Sequence, residues 1–469
     1  MSELCYAVGL SDGVRTEVAM PAAPIFSCFV MVPFLSLCVW AQGIQPYPNA
    51  ITDRLLHAKT PLAPPPVGTV FQDPDFGSLM VRVTDENTNP KSPGSFFRNP
   101  TPDANEWSVD NRKFYLSGSN STLLAFAFDP ATMKISPLPG AGPGGGVRIP
   151  LRGPATFSFL DPDLMYGTAQ RAPLSINTYR FSSGNTSLLF DTTTCGTQPP
   201  LVAGPKVSSG DFTISDDDNR MVISAGGNQF GNRPFVIVYD KKRGCRWYNT
   251  QTGQIGGQWG PTGQAIVPDK FLINHSKISG NGRYVRIGVT HTGFYIWDVT
   301  SLNVRPCYKL RCGGYGALGY DAYINVPGGG DELNAFRRPL RDLAAMTPLL
   351  NPLPEPHYFG MEKHFAWSNG RLDSNLPVCG ATYDPDGHVD INQPYDGEIF
   401  CMETDGLAST VWRFAHNRAV WDSEYYWTEP VGNVSLDGRY YIFTSGWDNQ
   451  VGVTREGDPR TDVWIISLD

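Results

Sequence analysis

Two histidines and an aspartate occupy the same place in a repeated five-residue phrase, and chemistry could sit there. The phrase ends in Ser with an apolar residue just before it: Ala104-Asn-Glu-Trp-Ser108, Asp211-Phe-Thr-Ile-Ser215, His275-Ser-Lys-Ile-Ser279, His364-Phe-Ala-Trp-Ser368 and Val431-Gly-Asn-Val-Ser435. Thr156-Phe-Ser-Phe-Leu160 reads as a degenerate sixth copy, so the first position holds Ala104, Thr156, Asp211, His275, His364 and Val431. Imidazoles and a carboxylate converging from separate repeats could ligate a divalent metal, act as acid and base, or contact a ligand. His291 and Glu362 lie close in sequence to two of them. A His bonded to the backbone of its own repeat fits the phrase equally well, so the structural and functional roles both stay open.

A second group is aromatic. Trp421, Tyr425, Tyr426 and Trp427 could stack on sugar rings, because an aromatic face offers an apolar platform to a carbohydrate; packing between repeats is the competing role. Other matches carry less. Gly314-Tyr-Gly-Ala-Leu-Gly319 fits a dinucleotide fingerprint without the surrounding strand-helix-strand pattern. Asp384-Pro-Asp-Gly-His-Val-Asp390 has its Gly misplaced for a calcium loop and reads as a turn. With no G-x-S-x-G in the chain, hydrolase chemistry of the α/β type is excluded.

These residues must be positioned by strands. Four copies of the phrase run into a polar turn and an Arg, at Asp110-Asn-Arg112, Asp218-Asn-Arg220, Asn281-Gly-Arg283 and Asp437-Gly-Arg439. Asn, Asp and Gly tolerate the positive φ of tight hairpins. A β-rich strand follows each turn, and a third strand follows a variable loop, as in Leu124 to Asp129, Phe235 to Asp240, Phe294 to Asp298, Ile399 to Glu403 and Val463 to Ser467. Such a unit, recurring along the chain, is the signature of a β-propeller, in which each blade buries its faces against its neighbours. Counting Gly316 to Leu340 as a unit makes seven blades; if residues 307–358 are an insertion, six remain. The last unit has no residues left for a fourth strand, whereas Leu79 to Thr84 is a strand with no nearby hairpin partner. The N-terminal strand is therefore expected to complete the last blade and close the ring.

The phrase S-x-D-G-R-[YF], as in Ser435 to Tyr440, resembles the repeat of TolB-like propellers, which also form the propellers of prolyl oligopeptidases and oligogalacturonate lyases. The resemblance covers residues 68 to 469 and implies the fold. It implies a metal bound largely by His for a lyase, with Asp211, His275 and His364 as the positions offered here, and protein contacts through loops for a TolB-like periplasmic scaffold. It further implies that first-position residues lie near the mouth of the central channel.

Composition agrees with this architecture. In 469 residues, 49 glycines, 40 prolines and 12% aromatics suit many short strands joined by turns. A net charge of −8 disfavours a nucleic-acid partner, since no excess of Lys or Arg is available for phosphates. Ile25 to Ala41 is an apolar run of signal-peptide length, with a membrane anchor as the competing reading. The expected organisation is 1–41 signal or anchor, 42–67 Pro-rich linker and 68–469 propeller, in a secreted or periplasmic monomer.

Six cysteines remain after residue 41: Cys195, Cys245, Cys307, Cys312, Cys379 and Cys401. An even number in an exported chain admits three disulfides, and Cys307 with Cys312 and Cys379 with Cys401 are the two pairs the spacing favours. The expected function is ligand or protein binding at the channel mouth, carbohydrate or protein being the partner. A polysaccharide lyase acting on uronate glycans is the alternative, and a divalent metal the cofactor it would need.

Overall fold

Ser108, Ser215, Ser279 and Ser435 each close the same turn, which explains the repeated phrase. Every one donates its backbone N–H to the carbonyl five residues on, at Lys113, Arg220, Tyr284 and Tyr440. Its hydroxyl donates to the Asp or Asn two residues on and accepts the N–H of that same fifth residue. Between them sits one left-handed residue: Asn111, Asp218, Gly282 or Gly438. In the third repeat this equivalence places Asn219, not Arg220, opposite Arg112, Arg283 and Arg439.

The computed structural model describes residues 46–469 except 90, 92–93, 100, 102–103, 120–121, 170–171, 203–207, 227–232, 267–268, 290–292, 308–311, 313–315, 326–334, 351–361, 370–375, 384–392 and 406–409. Its compact unit runs from Tyr47 to Asp469. Seven antiparallel sheets succeed one another along the chain as the blades of a propeller. The inner strands of blades 2, 3, 4, 6 and 7 are Leu151–Phe157, Ser208–Ile214, Ile273–Ile278, Glu362–Ala366 and Gly432–Val434. Blade 1 spans residues 97–149, with its phrase at 104–108 forming only a bridge between Trp107 and Phe114. Blade 5, from Ala317–Leu318 to Thr347–Pro348, settles the count at seven.

Closure of the ring is as expected, with one addition. The seventh sheet is ordered Gly432–Val434, Tyr440–Ser445, Asp462–Ser467, Leu79–Arg82 and Val70–Gln72. Leu79–Arg82 pairs with the last strand in the register Met80 to Ile466 and Arg82 to Trp464. It also has a hairpin partner after all: Val70 lies opposite Val81, so blade 7 has five strands. A strand from before the first blade and one from the end of the chain thereby share one sheet, and each covers an edge the other would expose.

Each junction between blades has its own apolar cluster. Val81, Phe97, Trp107, Phe114, Ile442 and Ile465 join blades 7 and 1, and Ala381, Trp412, Phe414, Phe443 and Trp464 join 6 and 7. The blade faces are buried on both sides, which is why the second and third strands read as nearly continuous apolar runs rather than alternating ones. Three disulfides are present. Cys379 and Cys401 face each other across neighbouring strands of blade 6, Cys307 and Cys312 close the short loop after blade 4, and Cys195 joins Cys245, tying the turn after blade 2 to blade 3. No helix among the described residues is long and apolar enough to cross a membrane.

Candidate functional site

The inner strands begin at one end of the ring, and the first-position residues therefore share that end. In blade 2 the turn is closed by Ser158, whose N–H donates to Leu164 O. The true phrase there is Pro154 to Ser158, so Thr156 holds the third position rather than the first. Ala104 is fully buried. His364 and Asp211 belong to blades 6 and 3, and His275 to blade 4. His291 lies outside the described residues; Glu362 begins the inner strand of blade 6, and its side chain lies outside them too.

Asp211 and His275 are neighbours across a blade junction. Asp211 Oδ2 accepts the N–H of Ser276 at 3.2 Å. The His275 ring lies flat over Gly288, its cross-strand partner: a Cβ there would stand 2.2 Å from the imidazole. Glycine is required at 288 because the ring occupies the space a side chain would fill.

Near Asp211 and along blade 4 lie cations that the phrase did not reveal. Arg233 is buried at 7% exposure, and its carbonyl accepts the N–H of Ile273, two residues before His275. Burial lowers the Arg233 pKa, Asp211 acts to raise it again, and Arg152 lowers it further. Those effects place Arg152, Arg233 and Asp211 in one electrostatic neighbourhood. Lys277 and Arg286, opposite each other in blade 4, are buried as well, and the Arg286 guanidinium lies 5.2 Å from the Phe294 ring centroid and 5.3 Å from that of Tyr323. Arg233 and Asp211 thus meet the backbone of blade 4 from the side of blade 3, while the His275 ring and Arg286 lie on the face of blade 4 turned to Tyr323 of blade 5.

Across the ring, blades 6 and 7 carry the aromatic group. His364 Nε2 and Glu429 Oε2 are 2.9 Å apart, so the first position of blade 6 holds the loop that leads into blade 7. The imidazole is buried at 3% exposure beneath Tyr383, nearly parallel to it at 5.9 Å, and Trp421 lies 6.0 Å beyond Tyr383. Further along the loop Trp427 stacks on Phe96 at 4.4 Å, Tyr425 packs against Trp427, and Arg98 lies over the exposed ring of Tyr426 at 4.8 Å. His364 anchors this loop, while Trp421, Tyr425 and Tyr426 form its outer side.

Deeper in, the channel is lined by Asn105, Thr156, Thr213, Asp216, Lys277 and Ser368 among others. Inner strands bond to one another directly there: Asn105 N–H to Thr156 Oγ1 at 3.1 Å, Ile278 N–H to Thr213 Oγ1 at 3.0 Å, and Asn433 Nδ2 to Ala104 O at 2.6 Å. These bonds tie neighbouring inner strands together around the channel. Glu106 is completely buried beside it, and burial pushes its carboxyl well above the usual range against weaker opposition from the Thr101 N–H and Arg98. Among the described residues no three His, Cys, Asp or Glu side chains are grouped to share a metal ion. His364 Nε2 is directed to Glu429.

No protein-family model matches the chain, and no curated protein matches it either. Solved structures do. An oligogalacturonate lyase from Vibrio parahaemolyticus superposes with a TM-score of 0.54 at 11% identity, over 86% of this chain and 96% of the lyase. The likeness is one of fold. An oligogalacturonate lyase in complex with manganese gives a TM-score of 0.50 at 11% identity, over 90% and 98% of the two chains. The propeller expected from the repeated phrase and the structures it resembles thus coincide.

Proposed function

We propose that this protein binds acidic oligosaccharides at the mouth of the propeller, with carboxylates on the cations of blades 2 to 4 and sugar faces on the aromatic loop of blades 6 and 7. One observation carries the reading: Arg233 is buried at 7% exposure under the influence of both Arg152 and Asp211, with its carbonyl on the Ile273 N–H at the start of the inner strand of blade 4. A guanidinium offers paired N–H donors that match a carboxylate. The neighbourhood is cationic although the whole chain carries −8, so the charge is local and directional.

Trp421 and Tyr426 supply the apolar complement, and His364 keeps their loop in place through Glu429. Three disulfides support a secreted or periplasmic setting, where such glycans are met. Titration calorimetry with oligogalacturonate, and with neutral oligosaccharides of the same length, tests the reading. Tighter binding of the acidic chain than of the neutral one, weakened in Arg233→Gln, is the expected result; equal affinity for both, or binding of neither, overturns it.

A second reading is favoured by the shared fold with two oligogalacturonate lyases. There His275 would abstract the proton next to the uronate carboxylate while Arg233 stabilised the enolate, whose collapse would form the double bond, break the bond to the glycosidic oxygen β to the carboxylate and release that oxygen as an alcohol once protonated. A rise in ultraviolet absorbance from unsaturated product on incubation with polygalacturonate, with and without added manganese, distinguishes enzyme from binder.

A further inference from the structure

The stretch expected as a linker before residue 68 lies, from Tyr47 onward, along the outer side of blades 6 and 7, and is held there mainly by its main chain. Arg413, fully buried in the outer strand of blade 6, donates Nη1 to Asp53 O at 3.3 Å and to Leu55 O at 2.8 Å. Its N–H donates to Ile51 O at 2.9 Å. Arg418 Nη2 donates to Thr60 O at 2.7 Å, Trp447 Nε1 to Leu62 O at 2.8 Å and Arg82 Nη1 to Pro65 O at 3.1 Å. Six carbonyls in fifteen residues are thus satisfied by side chains or backbone of the blades.

Side chains of the segment contribute at few points. Tyr47 is buried among Cys379, Trp412 and Phe414, and its hydroxyl donates to Gly438 O at 3.0 Å. Asp53 meets Arg413 at 2.9 Å and Lys59 meets Asp448 at 2.6 Å. Leu55 and Leu56, by contrast, are 68% and 50% exposed. The blades' side of the contact is prepared. Glu398 pairs with Arg413 at 2.6 Å and fixes the guanidinium, both groups being fully buried. Trp447, Asp448 and Asn449 are three successive non-glycine residues in the left-handed region, a costly backbone that turns the indole and the carboxylate toward the segment.

An ordered receptor surface, one buried aromatic anchor and carbonyls read in series are how proteins recognise extended peptides. We propose that the outer side of blades 6 and 7 is a peptide-recognition site and that residues 47–66 are its intramolecular ligand, separable from a propeller that stays folded without them. Ring closure does not depend on the segment, because Leu79–Arg82 forms the closing strand after it.

The test uses the full chain with a protease sequence placed in the exposed turn at Val67 and Gly68. After cleavage, the N-terminal fragment is expected to co-elute with the propeller at neutral pH and to leave in mild denaturant while near-ultraviolet dichroism is retained. The stripped propeller should then bind a synthetic peptide of residues 46–66, and a Tyr47→Ala peptide about tenfold or more weaker. Because these substitutions lie in the peptide, they cannot unfold the receptor. Loss of tertiary signal as the fragment leaves overturns the proposal by making the segment part of the core. Failure of a folded, stripped propeller to rebind the peptide overturns it too, and equal binding of the Tyr47→Ala peptide removes the anchor on which it rests.

Discussion

Arg82 Nη2 donates to Asp462 Oδ2 at 2.6 Å, inside the blade where the two ends of the chain meet. Asp462 is fully buried, and burial raises its carboxyl pKa to about 6 against the opposing pull of Arg460 and Arg82. Thr84 Oγ1 also donates to it, at 3.1 Å. The pair therefore locks strand 79–82 to strand 462–467. Arg82→Ala removes one of two guanidinium partners of the buried carboxylate, Arg460 Nη1 at 2.8 Å being the other, and should cost about 1.5–3 kcal/mol, read from urea unfolding. Adding Asp462→Asn should recover part of the loss; additive effects would show that the two groups are not coupled. Deleting residues 68–85 removes the closing strand altogether and should abolish soluble folding.

Acid should weaken the fold through His416. Its ring is buried against Phe76, neither nitrogen has a hydrogen-bond partner among the described residues, and Asp75 is 3.7 Å away. Burial lowers the pKa to about 4; Asp75 acts to raise it, and Arg418, Lys59 and Arg413 lower it further. The folded state thus takes the proton less readily than the unfolded chain. This group's contribution is complete above about pH 6.5 and is lost as pH falls toward 4, by about 3 kcal/mol at most. Unfolding free energies at pH 7.5 and 4.5 should differ less in His416→Gln than in the wild type by roughly that amount. An unchanged difference would assign the acid sensitivity elsewhere.

Gly288→Ala is a test of the site that leaves every charged residue in place. The new methyl would fall 2.2 Å from the His275 ring, which must swing away or push the strands apart. A loss of about 1–3 kcal/mol in stability is expected, together with weaker binding of acidic glycans. Binding that survives unaltered would show that His275 does not touch the ligand.

Three substitutions divide the site by role. Arg233→Gln should lower affinity for oligogalacturonate by about ten- to a hundredfold, as the loss of a charge-assisted contact does. Trp421→Ala should weaken acidic and neutral sugars alike, since stacking is blind to charge. Glu429→Gln, which keeps the shape but not the charge beside His364, should act through the loop and leave the ratio of acidic to neutral binding unchanged. Calorimetry on the three variants reads each outcome.

Local rules made much of this protein legible. The Ser-x-Asp turn, its left-handed residue and the strands beside it depend on neighbours within a few positions, so they could be read along the chain and then counted. The closing strand was legible too, because a unit lacking one strand at the C-terminus and a spare strand at the N-terminus admit one economical arrangement. Register was less secure: in blade 2, Pro154 to Ser158 lacks the polar turn that marks the other copies, and the phrase was read two residues late. Blade 5 lacks the phrase, and only the pairing of its four strands distinguishes seven blades from six.

What the tertiary structure alone decided is which side chains share a neighbourhood. Arg152, Arg233 and His275 come from three blades, and nothing in the spacing of a repeat states how far one blade is rotated from the next. The proximity of Arg233 to Asp211 and Arg152, and of Asp211 to the Ser276 N–H, follows from that rotation. The chain before residue 68 is a parallel case: its contacts run through carbonyl oxygens, which every residue carries, so its sequence read only as a Pro-rich linker. Recognition of main chain leaves little trace in composition, and only the buried Arg413, Arg418 and Trp447 on the receiving blades make it visible.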